Sequence, residues 1–319
     1  MLNLEFFSEF QKKSIGFVDI GSMGGVHEMV EPISQIIKAI CFEPDECEAQ
    51  KLVDMYRDDN RYSKVIVEQV ALNSKEGKTD LFVSQTPTNT SLLEPNSDFI
   101  SRYKAIKFLL DKKIKIDAIT LDSALEKNSF KSEFIKIDTQ GSEFDILKAS
   151  PNALNSSLGI WCEVEFFEVY KNQNTFSDVD SMLRDFGFCI YGLYPNFRSK
   201  KALDGKIYDS EERLMWADSL FFKDPFDSRN KNLNFSKRDI KVLIIFAILT
   251  EFFDFALELA RESFEYREIR ELEEFIKSRA KLKREKLVNS FKKQNFDNGL
   301  EIKRFVDSNR TNADLSYLI

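Results

Sequence analysis

The sequence predicts an α/β fold: a doubly wound, mostly parallel sheet over residues 1–225, with a helical C-terminal extension over 226–319. Three observations carry this. Apolar runs at 17–20, 39–42, 65–72, 134–137 and 159–167 alternate with stretches of helical periodicity, the pattern of a parallel sheet covered on both faces. Three of those runs end in acidic and turn residues, FVDIGSMGG, CFEPD and FIKIDTQG, and open α/β sheets bind ligands outside the carboxyl ends of their strands. Beyond Pro225 the strand signal stops, and 236–304 keeps helical periodicity.

Composition narrows the class. A chain of 319 residues can bury a full core. Its 43% hydrophobic and 31% charged content is that of a soluble globular protein, and the 30 phenylalanines are read as core filling. A net charge of −7 argues against bulk nucleic-acid binding. Cys41, Cys47, Cys162 and Cys189 lack CxxC spacing, as suits a reduced, cytoplasmic protein. His27 is the only histidine, which leaves His-rich zinc sites without ligands and argues against a Ser-His-Asp triad. Glu5 and Glu9 interrupt the apolar start, so no signal peptide is read there. The longest apolar run, 242–249, is far short of the ~20 residues that span a bilayer.

The elements follow in order. Residues 2–12 read as a short amphipathic helix. The strand 17–20 runs into a turn holding Gly21, Gly24 and Gly25, which permits tight turning and close backbone approach. Pro32 breaks or restarts the helical stretch that follows. After strand 39–42, residues 46–57 form a helix with Leu52, Val53 and Tyr56 inward. Strands are expected at 65–72 and 79–83, and 84–101, rich in Ser, Thr, Asn and Pro, reads as a surface loop. The stretch 114–119 alternates like a half-buried strand, and 121–126 is a short helix. Strand 134–137, the Asp138–Gly141 turn and a helix from Glu143 come next. In strand 159–167, Glu163 and Glu165 share a face. Ser177 is placed to cap a helix carrying Val179, Met182, Leu183 and Phe186, which Gly187 ends. Strands 188–194 and 219–222 close the sheet. Residues 240–260 read as one buried helix docking on the sheet or on a second subunit. The basic stretch 277–293 reads as a solvated helix face, with contact to an acidic partner or a membrane surface as the alternative.

The strand ends constrain the cofactor. A dinucleotide fingerprint needs G-x-G-x-x-G, and this turn has Met23 and Val26 where glycines belong. That disfavours a pyrophosphate site and a nicotinamide oxidoreductase. Glu43 lies 22 residues after Gly21, at the next strand end, where an acid binds ribose hydroxyls. S-adenosylmethionine has a ribose, an adenine and an amino-acid tail but no phosphate. Asp19 or main-chain groups of the turn could meet its ammonium.

In this context five blocks, in order, resemble the FkbM family of S-adenosylmethionine-dependent methyltransferases over about 16–225. They are FVDIGSMGG, CFEPD, TLDSALEKNSFKSEFIKIDTQGSEFDILKAS, WCEVEFFEVYKNQNTFSDVDSMLRDFGF and ADSLFFK. The resemblance implies a class I, Rossmann-like methyltransferase fold and usually O-methylation. By position, Asp19, Gly21, Ser22, Met23 and Gly25 would line the methionine end. Glu43, in the FEP block with Pro44, would hold the ribose. Residues 70–73, with Ala71, would flank the adenine, and Asp138 would face the reacting end. The chain departs from the family in having Ser22-Met23 for Ala-Asn, Pro32 in a short link, and Gln140 where an acid is frequent.

A hydroxyl acceptor must lose a proton, so a base within reach is expected. Asp138, Glu143, Glu163 and Glu165 are the candidates. Asp138 is expected to orient substrate or cofactor, with Glu143 or Glu165 accepting the proton. The carboxylates could instead gather a divalent cation, although no metal ligand is assigned. His27 is expected on a solvent-exposed helix rather than as a base. The expected partner is a small-molecule or carbohydrate acceptor, and a homodimer through the C-terminal helices is left open. The competing function is a methyltransferase-like module that recruits a partner through its helical tail.

Overall fold

The structure is a computed structural model that describes residues 4–198 and 210–292. Its strands, in chain order, are β1 (Ile15–Ile20), β2 (Ile37–Phe42), β3 (Lys64–Glu68), β4 (Ala71–Leu72), β5 (Gly77–Ser84), β6 (Leu110–Ile119), β7 (Phe134–Ile137), β8 (Gly159–Glu165), β9 (Phe188–Arg198) and β10 (Arg213–Lys223). The α-helices are α1 (Glu46–Tyr56), α2 (Ser97–Tyr103), α3 (Leu121–Lys127), α4 (Glu143–Lys148), α5 (Pro151–Ser156), α6 (Phe176–Asp185), α7 (Lys237–Leu249), α8 (Phe253–Ser263) and α9 (Tyr266–Lys292).

The main sheet has seven strands in the order β3-β2-β1-β7-β8-β10-β9. The first five of these are parallel, and β10 runs antiparallel between β8 and β9. Strands buried on both faces need continuous apolar runs. β1 and β7 supply them, with every residue buried. The strand order reverses between β1 and β7, so the crevice at their carboxyl ends is the switch point where such sheets bind ligands.

One face of the sheet is covered by α3, α4, α5 and α6, which pack on Val18, Ile135 and Ile160. The other face is covered by α7 and α8, packed on Phe17, Phe134 and Phe222. Phe246 of α7 stacks on Phe134 with ring centroids 4.0 Å apart. The apolar stretch 240–260 therefore docks on the sheet, and as two helices rather than one. The chain bends at Glu251, which adopts φ 66°. This packing uses the apolar surface that suggested a dimer. A fork secures the start of α7: Arg238 Nε and Nη2 donate to the two oxygens of buried Glu133, each at 3.0 Å.

Other differences have local causes. The expected strand 65–72 splits, because β4 leaves the main sheet to pair with β6 in a second sheet of order β4-β6-β5. The polar stretch 84–101 runs into α2, capped by Asn96 and anchored by buried Phe99 and Tyr103. Thr175, not Ser177, caps α6, because Asp178 completes a capping box with it. Val53 is 40% exposed, since the inward stripe of α1 is Ala49 and Leu52, with Tyr56 partly buried. Residues 5–11 are a 3-10 helix that buries Phe7 and Phe10.

Candidate active site

The switch point is built by three turns. The first follows β1. Gly21 has φ 76°, and a Cβ there would stand 1.9 Å from the Asp138 carbonyl oxygen. Only glycine lets the β1 turn close on the β7 turn. Gly21 and Ser22 donate their N–H groups to the Phe42 carbonyl, tying this turn to β2. Ser22 is buried and its Oγ donates to the Asp19 carbonyl, whereas Met23 is exposed. Gly25 lies against the Tyr56 hydroxyl, which accepts the Val26 N–H at 2.8 Å.

Asp19 is fully buried under this turn. Its Oδ2 accepts the His27 N–H at 2.8 Å, and its Oδ1 lies 3.4 Å from Lys136 Nζ. Lys136 also donates to the Gly21 carbonyl at 2.9 Å. Burial pulls the lysine's pKa down, but Asp19 and Asp138 outweigh it and hold the ammonium above its ordinary value. Asp19 is therefore spent on shaping the turn, with no surface left to meet a ligand ammonium directly.

The second turn follows β2. Glu43 is nearly buried, and its Oε1 accepts the Asp45 N–H at 2.9 Å. Burial pushes its pKa up, and the Asp45 hydrogen bond pulls it back. Pro44 is half-buried beside it, and Ala71 is buried in β4, just past the end of β3.

The third turn follows β7. Gln140 adopts φ 58° and Gly141 φ 104°. Asp138 is half-exposed. Gln140 Nε2 bridges Asp138 Oδ1 at 2.8 Å and Glu163 Oε2 at 2.9 Å. Glu143 accepts from Thr139 N–H at 2.6 Å, Thr139 Oγ1 at 2.9 Å and Gly141 N–H at 2.9 Å. Both its oxygens are thus occupied by the turn it clamps. Burial, with Asp138 adding, pushes its pKa up to about 7. Glu165 is also buried, and burial together with Glu143 and Asp138 raises its pKa well above the carboxylate range.

Glu163 differs from both. It is partly exposed, and its carboxylate's only hydrogen bond among the described residues is from Gln140. Burial and the neighbouring Asp138, Glu165, Glu143 and Asp218 push its pKa well up. Asp218 is its register partner across β10, and Trp161 Nε1–H donates to it at 3.4 Å. Burial, with Asp138 adding, pushes Asp218 up to about 6.

His27 is not a solvent-exposed helix residue. It caps a 3-10 helix, its ring lies 5.9 Å from that of Trp161, and burial lowers its pKa. Trp161 in turn stacks on Tyr194 at 5.1 Å. Asp138, Glu143 and Glu163 bring oxygens within 4.8 Å of one another. The Gln140 amide nitrogen already joins two of these groups and the turn donors saturate the third, so we assign no metal ligand.

Sequence reasoning missed Lys136, Trp161 and Asp218 and passed over Gln140 as a mere departure. The acid inside ADSLFFK was the available signal for Asp218.

No curated protein matches this chain. Among solved structures it is similar to a Streptococcus pneumoniae protein assigned as a candidate tRNA (m1A22) methyltransferase. The TM-score is 0.35 with 12% identity over 98% of each chain. It is also similar to a SAM-dependent methyltransferase from Methanosarcina mazei, with a TM-score of 0.31 and 7% identity over 69% of this chain and 97% of the other. At such scores the assignment rests on the family match. The methyltransferase FkbM domain family matches residues 17–190, more than half of the chain. That span contains the Gly21 turn, the Glu43 strand end and the Asp138 turn, and the chain belongs to the FkbM-domain methyltransferases.

Proposed function

We propose that this methyltransferase moves a methyl group from S-adenosylmethionine to a hydroxyl oxygen of a small or carbohydrate-like acceptor. The observation that carries the proposal is the convergence at the switch point of the Gly21 turn, packed on Asp138, with Glu43 ending the neighbouring strand.

The residues fit that cofactor. A Cβ at Gly24 would meet nothing within 4 Å, so the turn has open space over it. Among the described residues only Oε1 of Glu43 has a hydrogen-bond partner, which leaves Oε2 for ribose hydroxyls. Lys136 is tied to Asp19 and the Gly21 carbonyl, so among the described residues the turn offers no free cation for a phosphate. The main chain of 21–25 would hold the amino-acid end, and Pro44 and Ala71 would border the adenine. Asp19 acts through the turn it shapes.

The cofactor, when bound, supplies an electrophilic methyl group on sulfur that an oxygen can take by in-line displacement. The chain's own residues then align the acceptor and take its proton. Asp138 orients the hydroxyl, and Glu163, with one oxygen unbonded among the described residues and a raised pKa, receives the proton. Glu143 keeps the turn that aims Asp138.

Incubation with methyl-labelled S-adenosylmethionine and a panel of free sugars and small alcohols tests this. The expected product carries the label in an ether linkage. Glu163→Gln should lose turnover yet still bind the demethylated cofactor, whereas Glu43→Ala should lose both. Label recovered on nitrogen or sulfur, or full turnover in folded Glu163→Gln, would contradict the proposal.

A further inference from the structure

We infer that residues 102–114, beside the active site, form a docking surface for an anionic lipid bilayer. The charge is concentrated: over 102–115 the chain carries six cations against the single acid Asp111, in a protein of net charge −7. Lys113 and Lys115 pair with Asp80, but Lys104, Lys107 and Lys112 have no ion-pair partner among the described residues. The basic stretch of α9 is different, because Lys277, Lys281 and Lys283 are paired with Glu273, Glu285 and Glu251.

Between these cations the chain exposes aliphatic side chains. Ile106 is 68% exposed, Leu110 42%, Leu109 39% and Ile114 39%. Leu110, Lys112 and Ile114 lie on one face of β6 by strand alternation. Clustered exposed aliphatics mark an interaction site. Their mixture with unpaired lysines is the chemistry of a membrane interface, where side chains enter the acyl boundary and ammonium groups meet anionic headgroups. A nucleic acid fits less well. Phe108, the aromatic that could stack on bases, is turned inward against Phe99 at 5.2 Å.

The surface is coupled to the site by position. The Lys107 carbonyl accepts Asn89 Nδ2 at 3.0 Å, and the Asn89 carbonyl lies 3.1 Å from the Tyr170 hydroxyl. That hydroxyl is also 3.1 Å from Gln140 Oε1, on the carboxylate turn. Docking here would hold the site's mouth at the bilayer.

Sedimentation of the full chain with phosphatidylcholine vesicles, with and without phosphatidylserine, tests the inference. Wild type should sediment only with the anionic vesicles. Reversing Lys104, Lys107 and Lys112 to Glu should weaken partition at least roughly a hundred-fold. Ile106→Ser with Leu110→Ser, which keeps the charge, should weaken it about tenfold. These side chains are exposed, so unfolding temperatures should stay at the wild-type value. Three outcomes would overturn the inference: wild type stays in solution, both variants sediment like wild type, or the surface captures RNA or a second copy of the chain but no vesicle. It stands or falls independently of the methyl acceptor.

Discussion

Gly21→Ala is the sharpest test of how the site is built. The added Cβ would stand 1.9 Å from the Asp138 carbonyl oxygen, a backbone atom that cannot rotate away. A carbon–oxygen contact closes no nearer than about 3.3 Å, so the β1 and β7 turns must part by roughly 1.4 Å. Such overpacking costs about 1–3 kcal/mol. The left-handed φ of 76° adds about 1–2 kcal/mol for any residue with a Cβ. The total, about 2–5 kcal/mol, corresponds to a fall of roughly 3–8 °C in unfolding temperature for a chain of this size. Gly24→Ala is the control, because φ there is also positive but a Cβ meets nothing within 4 Å. It should cost only what the positive φ costs, about 1–2 kcal/mol or roughly 2–3 °C. Thermal unfolding, with and without S-adenosylhomocysteine, reads both effects. If Gly21→Ala melts with Gly24→Ala and binds the ligand like wild type, the two turns are not packed as described.

Arg238→Ala removes the fork on buried Glu133 and leaves that carboxylate only Lys131 at 3.6 Å and the Gly16 N–H at 3.0 Å, which should cost about 1.5–3 kcal/mol by urea denaturation. Phe246→Ala, at the 4.0 Å stack on Phe134, should cost about 3–5 kcal/mol, and an unchanged urea midpoint would show that α7 does not carry that face of the core. Asp218 should make stability fall with rising pH. Its folded pKa is about 6 against about 3.9 unfolded, so the folded chain holds the extra proton between those values. The contribution is full below about pH 4 and is lost by about pH 6, worth at most about 3 kcal/mol. Asp218→Asn should flatten that part of the profile, and an unaltered slope would place the raised pKa elsewhere.

The parts of the site legible in the sequence are those where one short segment supplies both strand and turn. Gly21 after β1, Glu43 after β2 and Asp138 after β7 are all of this kind, because a buried parallel strand must be apolar and must end in a turn. What was hidden depends on register between distant segments. Asp218 joins Glu163 only because β10 inserts antiparallel between β8 and β9. Lys136 stands in an otherwise apolar strand, and only the register that sets it beside Asp19 gives it a role. The role of Glu143 was equally invisible, since a carboxylate at a helix start reads the same whether it serves a ligand or clamps its own turn. The docking surface escaped as well, because alternation in 114–119 suggested a half-buried strand, whereas β6 begins at Leu110 and is exposed over most of its length.

The most direct test of the central claim is calorimetric titration of wild type and Glu43→Ala with S-adenosylhomocysteine. Saturable binding in wild type, lost or weakened at least tenfold in a folded Glu43→Ala, is the predicted result; one charge-assisted hydrogen bond contributes about 1.5–3 kcal/mol. Equal affinity in the two proteins would remove Glu43 as the ribose anchor. No binding to folded wild type would contradict a cofactor site at this switch point.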